Sequence, residues 1–334
     1  MSIEAKTISL EEGIAHAAEA ALTRVAAARA AIGQVIFGQD AIVEEALVTL
    51  LSGGHALLVG VPGLAKTKLV ETLGIVLGLD SRRVQFTPDL MPADILGSEV
   101  LEESADHRRA FRFVPGPVFA QLLMADEINR ASPRTQSALL QAMQEHHVTV
   151  AGARHDLPRP FHVLATQNPL EQEGTYPLPE AQLDRFLMQI DVGYPSRDAE
   201  RRILIETTGD VQAQAKPAMA AEDLMGIQRL VRRLPVGESI VEAILDLVRS
   251  ARPGEGDAAI TKHSTWGPGP RAAQALMLTS RARALVDGRL APSLDDLIAL
   301  AGPVLKHRMA LTFAARAEGE SIPGLIAKLT ARLH

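Results

Sequence analysis

Apolar residues in the first 195 positions form short runs, and stretches with helical spacing separate these runs. A run of four to six apolar residues between turn signals is too short for most helices and predicts a buried strand. Strands are predicted at 55–59, 83–86, 121–125, 161–166 and 186–190, and hairpins at 98–114 and 147–157. An alanine-rich helix is predicted at 9–32. The alternation of strands and helices over residues 35–193 predicts a parallel sheet with helices on both faces.

The pattern changes after Pro195, where helical spacing dominates and no further strand is predicted. Val241, Ile244, Leu245 and Val248 share one predicted helix face, and Ser293-Leu294-Asp295-Asp296 has the form of a capping box. The chain is therefore of the α/β class. It is predicted to have an α/β domain over residues 1–195, with an N-terminal helix and two hairpins, followed by a smaller all-helical domain over residues 196–334.

A glycine-bearing loop joins the first predicted strand to a predicted helix, in the order that a phosphate-binding loop requires. Its candidate nucleotide contacts are Gly60, Pro62, Gly63, Leu64, Ala65, Lys66, Thr67 and Lys68. Inward N–H groups and the helix dipole would hold phosphates. Lys66 would contact the β- and γ-phosphates, and the Thr67 hydroxyl would ligate Mg²⁺. Ala65 stands where the motif usually has its second glycine, and we expect it in the right-handed α region, where a methyl group is tolerated.

Two carboxylates and an amide follow later predicted strands. Asp126-Glu127 ends one strand, where Asp126 could hold Mg²⁺ and Glu127 could act as general base toward water. Asn168 follows the next strand and could hydrogen-bond the γ-phosphate and the attacking water. The alternative for Asp126-Glu127 is an acidic pair that only closes a strand. The alternative for Asn168 is a common Asn-Pro turn.

Two arginines are further candidates. Arg185 precedes the last strand, just outside the ligand edge as we predict it, and could reach the γ-phosphate of a neighbouring subunit. Arg271 begins a helix in the second domain, where it could contact nucleotide. Their alternatives are a surface ion pair with Asp184 or Glu180, and an arginine that points into solvent.

Composition narrows the function further. The 334 residues include no cysteine, which excludes disulfides and thiolate metal sites. The net charge of −6 disfavours non-specific nucleic-acid binding. No signal peptide or membrane span is predicted, so we expect a cytoplasmic protein. The ten histidines show no metal-binding spacing such as HExxH, and Mg²⁺ with ATP is the only metal expected.

The order of these motifs resembles that of AAA+ ATPases, and several segments are similar to the MoxR family in particular. The resemblance covers roughly residues 30–334 and is carried by Val35-Ile36-Phe37-Gly38-Gln39, Gly60–Thr67, Phe86-Thr87-Pro88-Asp89-Leu90-Met91-Pro92, Asp126-Glu127-Ile128-Asn129-Arg130-Ala131, Ala165-Thr166-Gln167-Asn168-Pro169, residues 174–186, Pro270-Arg271-Ala272 and Lys306-His307-Arg308.

The resemblance implies roles for these positions. It places Gly38 and Gln39 at the nucleotide and makes Lys66 and Thr67 Walker A, Asp126 and Glu127 Walker B, Asn168 sensor 1, Arg185 the arginine finger and Arg271 sensor 2. Arg130 and Arg134 are rival intersubunit arginines. The two hairpins match the helix-2 and pre-sensor-1 insertions of this AAA+ branch.

The resemblance also implies a ring, most often a hexamer, that hydrolyses ATP to remodel client proteins or to insert metals into them. A von Willebrand factor A domain partner is implied as well. Three alternatives remain open: a nucleotide-gated scaffold with little turnover, a helicase-like motor and a magnesium-chelatase-like motor.

Overall fold

A computed structural model describes residues 3–103, 109–171, 173–209, 213–256 and 258–333 of the chain, without the side chains of residues 3–16, 258 and 259. The predicted turn of the first hairpin lies partly outside the described residues.

Five parallel strands form the central sheet, in the spatial order β2-β5-β8-β1-β9. The strands of the first part of the chain are β1 (Ala56–Val59), β2 (Ser81–Gln85), β3 (Gly97–Glu103), β4 (Arg109–Pro115), β5 (Leu122–Asp126), β6 (His147–Val150), β7 (Ala153–Asp156), β8 (His162–Gln167) and β9 (Met188–Asp191). The pairs β3–β4 and β6–β7 are separate antiparallel hairpins. The predicted parallel sheet and both hairpins are confirmed.

Helices cover both faces of the sheet. They are α1 (Ile3–Gly33), α2 (Asp40–Leu51), α3 (Lys66–Val76), α4 (Pro92–Leu96), α5 (Pro133–Glu145), α6 (Glu180–Leu183) and α7 (Arg197–Thr207). Successive side chains of a strand enter opposite cores: in β1, Ala56 and Leu58 join one apolar cluster and Leu57 joins the other. The Ser132 hydroxyl accepts a hydrogen bond from the Thr135 N–H and caps α5, as its Ser-Pro start predicts.

The second part of the chain is mostly helical. Its helices are α8 (Ala221–Val231), α9 (Glu238–Ser250), α10 (Ala258–Thr261), α11 (Pro270–Val286), α12 (Leu294–Leu305), α13 (Phe313–Ala317) and α14 (Ile322–Thr330). The Asp296 carboxylate accepts from the Ser293 N–H at 2.7 Å and caps α12 as predicted.

Two details of this part differ from the prediction. Strands β10 (Ser264–Trp266) and β11 (Ala310–Leu311) form a small antiparallel pair, so the prediction that no strand follows Pro195 is wrong. Segments of two and three residues carry no readable period. Leu245 is also 42% exposed, because the buried face of α9 is formed by Ile240, Ile244, Leu247 and Val248 instead.

One apolar cluster runs from the sheet into the second part of the chain. It includes Leu47 of α2, Leu58 of β1, Leu276 of α11 and Val304 of α12, all almost fully buried. The lid, our name for residues 196–334, therefore packs directly on one face of the α/β layer. The domain boundary at residue 195 stays a prediction.

Candidate functional site

The loop between β1 and α3 has a backbone shape that its glycines make feasible. A side chain at Gly60 would lie 2.4 Å from the Val192 carbonyl oxygen, so only glycine fits there. Gly63 has a φ of +84°, which glycine adopts at little cost. Ala65 is also left-handed, at φ 56° and ψ 21°, and α3 begins at Lys66. The expectation of a right-handed Ala65 is therefore wrong, and its Cβ costs about 1 kcal/mol in this conformation.

Lys66 is folded back onto its own loop. Its Nζ donates to the carbonyl oxygens of Gly60 and Val61, the latter at 2.9 Å. Burial lowers the pKa of Lys66, and the carboxylates of Asp126 and Glu127 act in the opposite direction. The ammonium group must leave these carbonyls before it can contact a phosphate.

Asp126 is held in place at the carboxyl end of β5. Its Oδ1 accepts from the Thr166 hydroxyl at 2.6 Å, and its Oδ2 accepts from Nη2 of Arg83, also at 2.6 Å. Neither partner is predicted from the sequence. A signal existed for Thr166, a polar residue inside a buried strand beside β5. The guanidinium of Arg83 lies against the carboxylate that is predicted to hold a cation.

Glu127 follows in a left-handed conformation, at φ 56° and ψ 50°. Its N–H donates to the same Thr166 hydroxyl at 2.8 Å. Its Oε2 accepts from Gln85 at 2.8 Å and from Arg130 at 3.0 Å. Thr166 thus orients both acidic residues, while Gln85 and Arg130 occupy the carboxylate of the predicted base.

Asn168 also lies at this edge. Its Oδ1 accepts from the Leu170 N–H at 3.1 Å, so it forms the Asn-Pro turn that was the alternative interpretation. It nevertheless borders the same cavity as the phosphate-binding loop. The turn and a contact with ligand are therefore compatible.

A cavity of about 480 Å³ collects most of the predicted site. It is lined by Pro62, Gly63, Leu64, Ala65, Lys66, Thr67, Lys68, Asp126, Glu127 and Asn168, together with Arg83, Gln85 and Thr166. The side-chain oxygens of Thr67 and Asp126 are hard ligands of the kind that Mg²⁺ prefers. The donor set therefore fits Mg²⁺ bound with a polyphosphate.

Gly38 and Gln39 lie behind this loop. Gln39 is buried, and its Nε2 donates to the Leu64 carbonyl oxygen at 3.3 Å. Its Oε1 is buried and has no hydrogen-bond partner among the described residues, which leaves an acceptor for a ligand group. A side chain at Gly38 would lie 2.0 Å from the Cβ of Ala199 in α7, so α7 packs directly on this backbone. Neither residue lines the phosphate-loop cavity, and their role at the nucleotide stays a prediction.

Arg185 and Arg271 lie outside the phosphate-loop cavity. Residue 187 donates its N–H to the His55 carbonyl oxygen, just before β1 and β9 begin, so Arg185 lies at the amino edge of the sheet. Arg185, Arg271 and Arg308 line a second cavity of about 260 Å³. Among the described residues, this cavity shares none with the phosphate-loop cavity. The prediction that Arg185 lies just outside the ligand edge is therefore wrong, because strands of this sheet place their beginnings and ends at opposite edges.

Comparisons with known proteins agree on one family. Residues 55–188 match the ATPase family associated with various cellular activities (AAA), and residues 257–328 match the AAA lid domain. Chaperone MoxR1 of Mycobacterium tuberculosis is 44% identical over 86% of this chain and 76% of its own length. Protein MoxR of Paracoccus denitrificans is 30% identical over 90% of this chain and 92% of its own. The chain belongs to the MoxR family of AAA+ ATPases.

A solved structure gives the same result. The crystal structure of a candidate ATPase from Cytophaga hutchinsonii has a TM-score of 0.88 and 35% identity, and the match covers 100% of this MoxR-family chain and 99% of that one. The α/β class with an AAA domain and a helical AAA lid is thereby confirmed. Membership in this family implies that the chain binds a nucleotide.

The rival arginines differ in their surroundings. Arg130 pairs with Glu127 in its own chain at 3.0 Å, whereas Arg134 is exposed at the start of α5. No helix among the described residues of this MoxR-family chain is long and apolar enough to cross a membrane.

Proposed function

We propose that the chain is an ATPase that hydrolyses ATP between the subunits of a ring and uses the turnover to remodel client proteins. The observation that carries the proposal is the separation of the two cavities. The phosphate-loop cavity is lined by Lys66, Asp126 and Glu127, whereas Arg185 and Arg271 line the cavity at the other edge of the sheet. Strands of four to six residues put these edges roughly 15 Å apart.

In this proposal each residue of the phosphate-loop cavity has one task. Lys66 exchanges its two loop carbonyls for phosphate oxygens, which are stronger charge-assisted acceptors. Thr67 and Asp126 would hold Mg²⁺, which would supply charge neutralisation at the phosphates. Asn168 orients the water, and Glu127 accepts its proton. Glu127 must first give up at least one of its bonds to Gln85 and Arg130, because both now occupy its Oε2.

Arg185 and Arg271 then act on the next subunit. The Arg185 side chain makes no hydrogen bond or ion pair within the described part of the chain, and the Arg271 side chain is half exposed. Guanidinium groups beside a cavity are suited to the equatorial oxygens of a transferring phosphoryl group. Each nucleotide would then lie between two subunits, with the lysine and base from one and two arginines from the other.

The role in the cell is inferred from the relatives. One relative carries the name chaperone, so we propose protein clients, including proteins that acquire a metal or cofactor. A hexameric ring and a von Willebrand factor A domain protein are the partners we propose, in the cytoplasm.

Phosphate release, nucleotide binding and sedimentation velocity, measured together, test the proposal. The wild-type chain is expected to assemble into a ring with ATP and Mg²⁺ and to turn over. Glu127→Gln should bind ATP without turnover. Arg185→Ala should lose about a thousandfold in turnover with little change in ATP affinity, and Arg134→Ala, a matched change at an exposed arginine, should retain activity.

Mixed assemblies decide whether the site is shared. A subunit with Arg185→Ala keeps its own base, and a subunit with Glu127→Gln keeps its own arginines. With equal random mixing in a ring, about a quarter of the sites combine an intact base with an intact neighbouring arginine. Activity should therefore appear in the mixture of two inactive proteins. A mixture that stays inactive at every ratio contradicts the shared site.

A further inference from the structure

Arg308 is a fully buried arginine at the contact between the lid and the sheet. It follows α12 in the sequence Lys306-His307-Arg308, and its side chain is only 2% exposed. Arginine is almost never buried to this extent unless it is paired, because an unpaired buried charge is strongly unfavourable. Burial lowers the pKa of Arg308, and the carboxylate of Asp184 acts in the opposite direction.

The hydrogen bonds of Arg308 go almost entirely to residues 184–187. Its Nε donates to Asp184 Oδ1 at 2.7 Å, its Nη2 donates to the Phe186 carbonyl oxygen at 2.7 Å, and its Nη1 donates to the Leu187 carbonyl oxygen at 3.2 Å. The neighbouring His307 also lies with its Nε2 3.1 Å from the Phe186 carbonyl oxygen. A planar guanidinium with several fixed donors thus holds the Asp184 carboxylate and the carbonyl groups of Asp184, Phe186 and Leu187 in one geometry.

Arg185 lies inside the segment that is held. The residues on both sides of it bond to Arg308, while its own side chain stays unpaired among the described residues and borders the cavity at the amino edge. The backbone of Arg185 is therefore constrained, and its guanidinium is left available.

Asp184 contacts both Arg308 and Arg271. Its Oδ1 accepts from Arg308, and its Oδ2 lies 3.7 Å from Nη1 of Arg271 at the start of α11. Arg271 and Arg308 both belong to the lid, whereas Asp184 and Arg185 belong to the α/β layer. One carboxylate and one buried guanidinium thereby fix the positions of Arg185 and Arg271 relative to each other.

We propose that Arg308 is a positioning residue that ties residues 184–187 to the lid, so that Arg185 and Arg271 are presented together to the neighbouring subunit and move with the lid. The proposal rests on the proposed function for its consequence in catalysis. When a subunit's lid shifts, the arginines that it offers to its neighbour shift as well.

A matched control is available in the same lid. Asp296 is fully buried and accepts from Arg283 at 2.6 Å and from Arg289 at 2.7 Å. This cluster also joins a buried aspartate to arginines, but none of the Asp296 hydrogen bonds in the described part of the chain reaches residues 184–187. Asp296→Asn therefore weakens a buried lid ion pair and leaves the Arg308 contacts in place, whereas Arg308→Lys keeps the charge and loses the planar array of donors.

The first experiment measures the mobility of a label at residue 185 and does not depend on activity. The sequence has no cysteine, so Arg185→Cys provides a unique attachment point for a spin label in the full-length chain. The label is expected to be more mobile when Arg308→Lys is added and unchanged when Asp296→Asn is added, with circular dichroism confirming that each variant is folded. Equal label mobility in the Arg308→Lys and Asp296→Asn proteins overturns the proposal.

The second experiment measures the consequence for turnover. Arg308→Lys should lower kcat about tenfold or more, since small displacements of a catalytic group are costly, while the KM for ATP changes by less than about twofold. Mixing it with Glu127→Gln subunits should restore activity, because those subunits supply well-placed arginines. Asp296→Asn is the control for a protein that is only destabilised. Mixing it with Glu127→Gln subunits should give no such recovery of activity.

The two proposals fail in different ways. If Arg185→Ala is rescued by Glu127→Gln and Arg308→Lys is not, the shared site stands and the positioning role of Arg308 is wrong. If neither mixture recovers activity, the shared site is wrong, and the spin-label comparison still decides whether Arg308 fixes residues 184–187.

Discussion

Lowering the pH from 7.5 to 5.5 is expected to destabilise the protein, with one partly buried carboxylic acid, Glu45, opposing the effect. His55 accepts a hydrogen bond from the Val163 N–H at 2.9 Å, and His162 accepts one from Gln228 at 3.0 Å. Burial lowers the pKa of His55 to about 3 and that of His162 to about 4, from an ordinary value of 6.5. Burial also lowers the pKa of His307 well below its usual value.

The unfolded chain therefore takes up protons on these histidines in this pH range, and the folded chain does not. Stability that is present above pH 6.5 is lost as the pH falls, by about 1.4 kcal/mol for each of His55 and His162 between pH 7.5 and 5.5, or about 2.7 kcal/mol together. His307 adds to the loss in the same direction.

Glu45 acts the other way. Burial raises its pKa from 4.5 to about 7, and Lys306 partly offsets this rise. The folded chain binds a proton at Glu45 that the unfolded chain does not bind until lower pH. This adds about 1.8 kcal/mol of stability over the same interval. The wild-type chain should thus lose about 1 kcal/mol from these three groups, and more with His307.

Urea unfolding at the two pH values, followed by circular dichroism, measures the difference. Glu45→Gln removes the opposing group, so this variant should lose about 1.8 kcal/mol more than the wild type between pH 7.5 and 5.5. Glu71→Gln makes the same change on an exposed helix position and should behave like the wild type. Equal pH dependence of Glu45→Gln and wild type would refute the assignment of a protonated Glu45.

Three further predictions concern the phosphate-loop cavity. Lys66→Ala should weaken ATP binding about tenfold or more, since it removes a charge-assisted contact, and unchanged affinity in a fluorescence titration contradicts that contact. Arg83→Ala frees Asp126 from a competing cation, so half-maximal nucleotide binding should need less Mg²⁺, whereas the exposed neighbour Arg82→Ala should leave the Mg²⁺ midpoint unchanged. Ala65→Gly relieves a left-handed alanine and should raise the free energy of unfolding by up to about 1 kcal/mol; a loss of stability argues against the strain.

The sequence predicts the sheet well because buried parallel strands differ clearly in length and pattern from the helices between them. It predicts that Lys66, Asp126 and Asn168 converge, because each lies at or just beyond the carboxyl end of a parallel strand. It does not predict the conformation of Ala65, since the choice between right- and left-handed backbone depends on how the loop closes against Val192 and the start of α3.

The locations of the arginines follow from packing rather than from pattern. The position of Arg271 depends on how α11 packs against α2, and no sequence period specifies which edge of the sheet a lid helix reaches. The role of Arg83 is equally hard to predict from the sequence, because a charged residue on an edge strand usually points into solvent. Its contact with Asp126 is visible only once β2 and β5 are paired.

The opposed edges of the sheet also determine what kind of oligomer can work. An isologous dimer presents one self-complementary face, so it cannot bring a subunit's base and its arginines, which lie at opposite edges, to the same partner. The shared site that we propose therefore needs a head-to-tail contact, and repetition of a head-to-tail contact gives a closed ring or an open helix. In the proposed closed ring every nucleotide would meet a pair of arginines. An open ring would leave one terminal subunit whose nucleotide meets no arginines, so one break in the ring would inactivate one site. The next subunit, or a partner that presents similar arginines, would have to bind at that position.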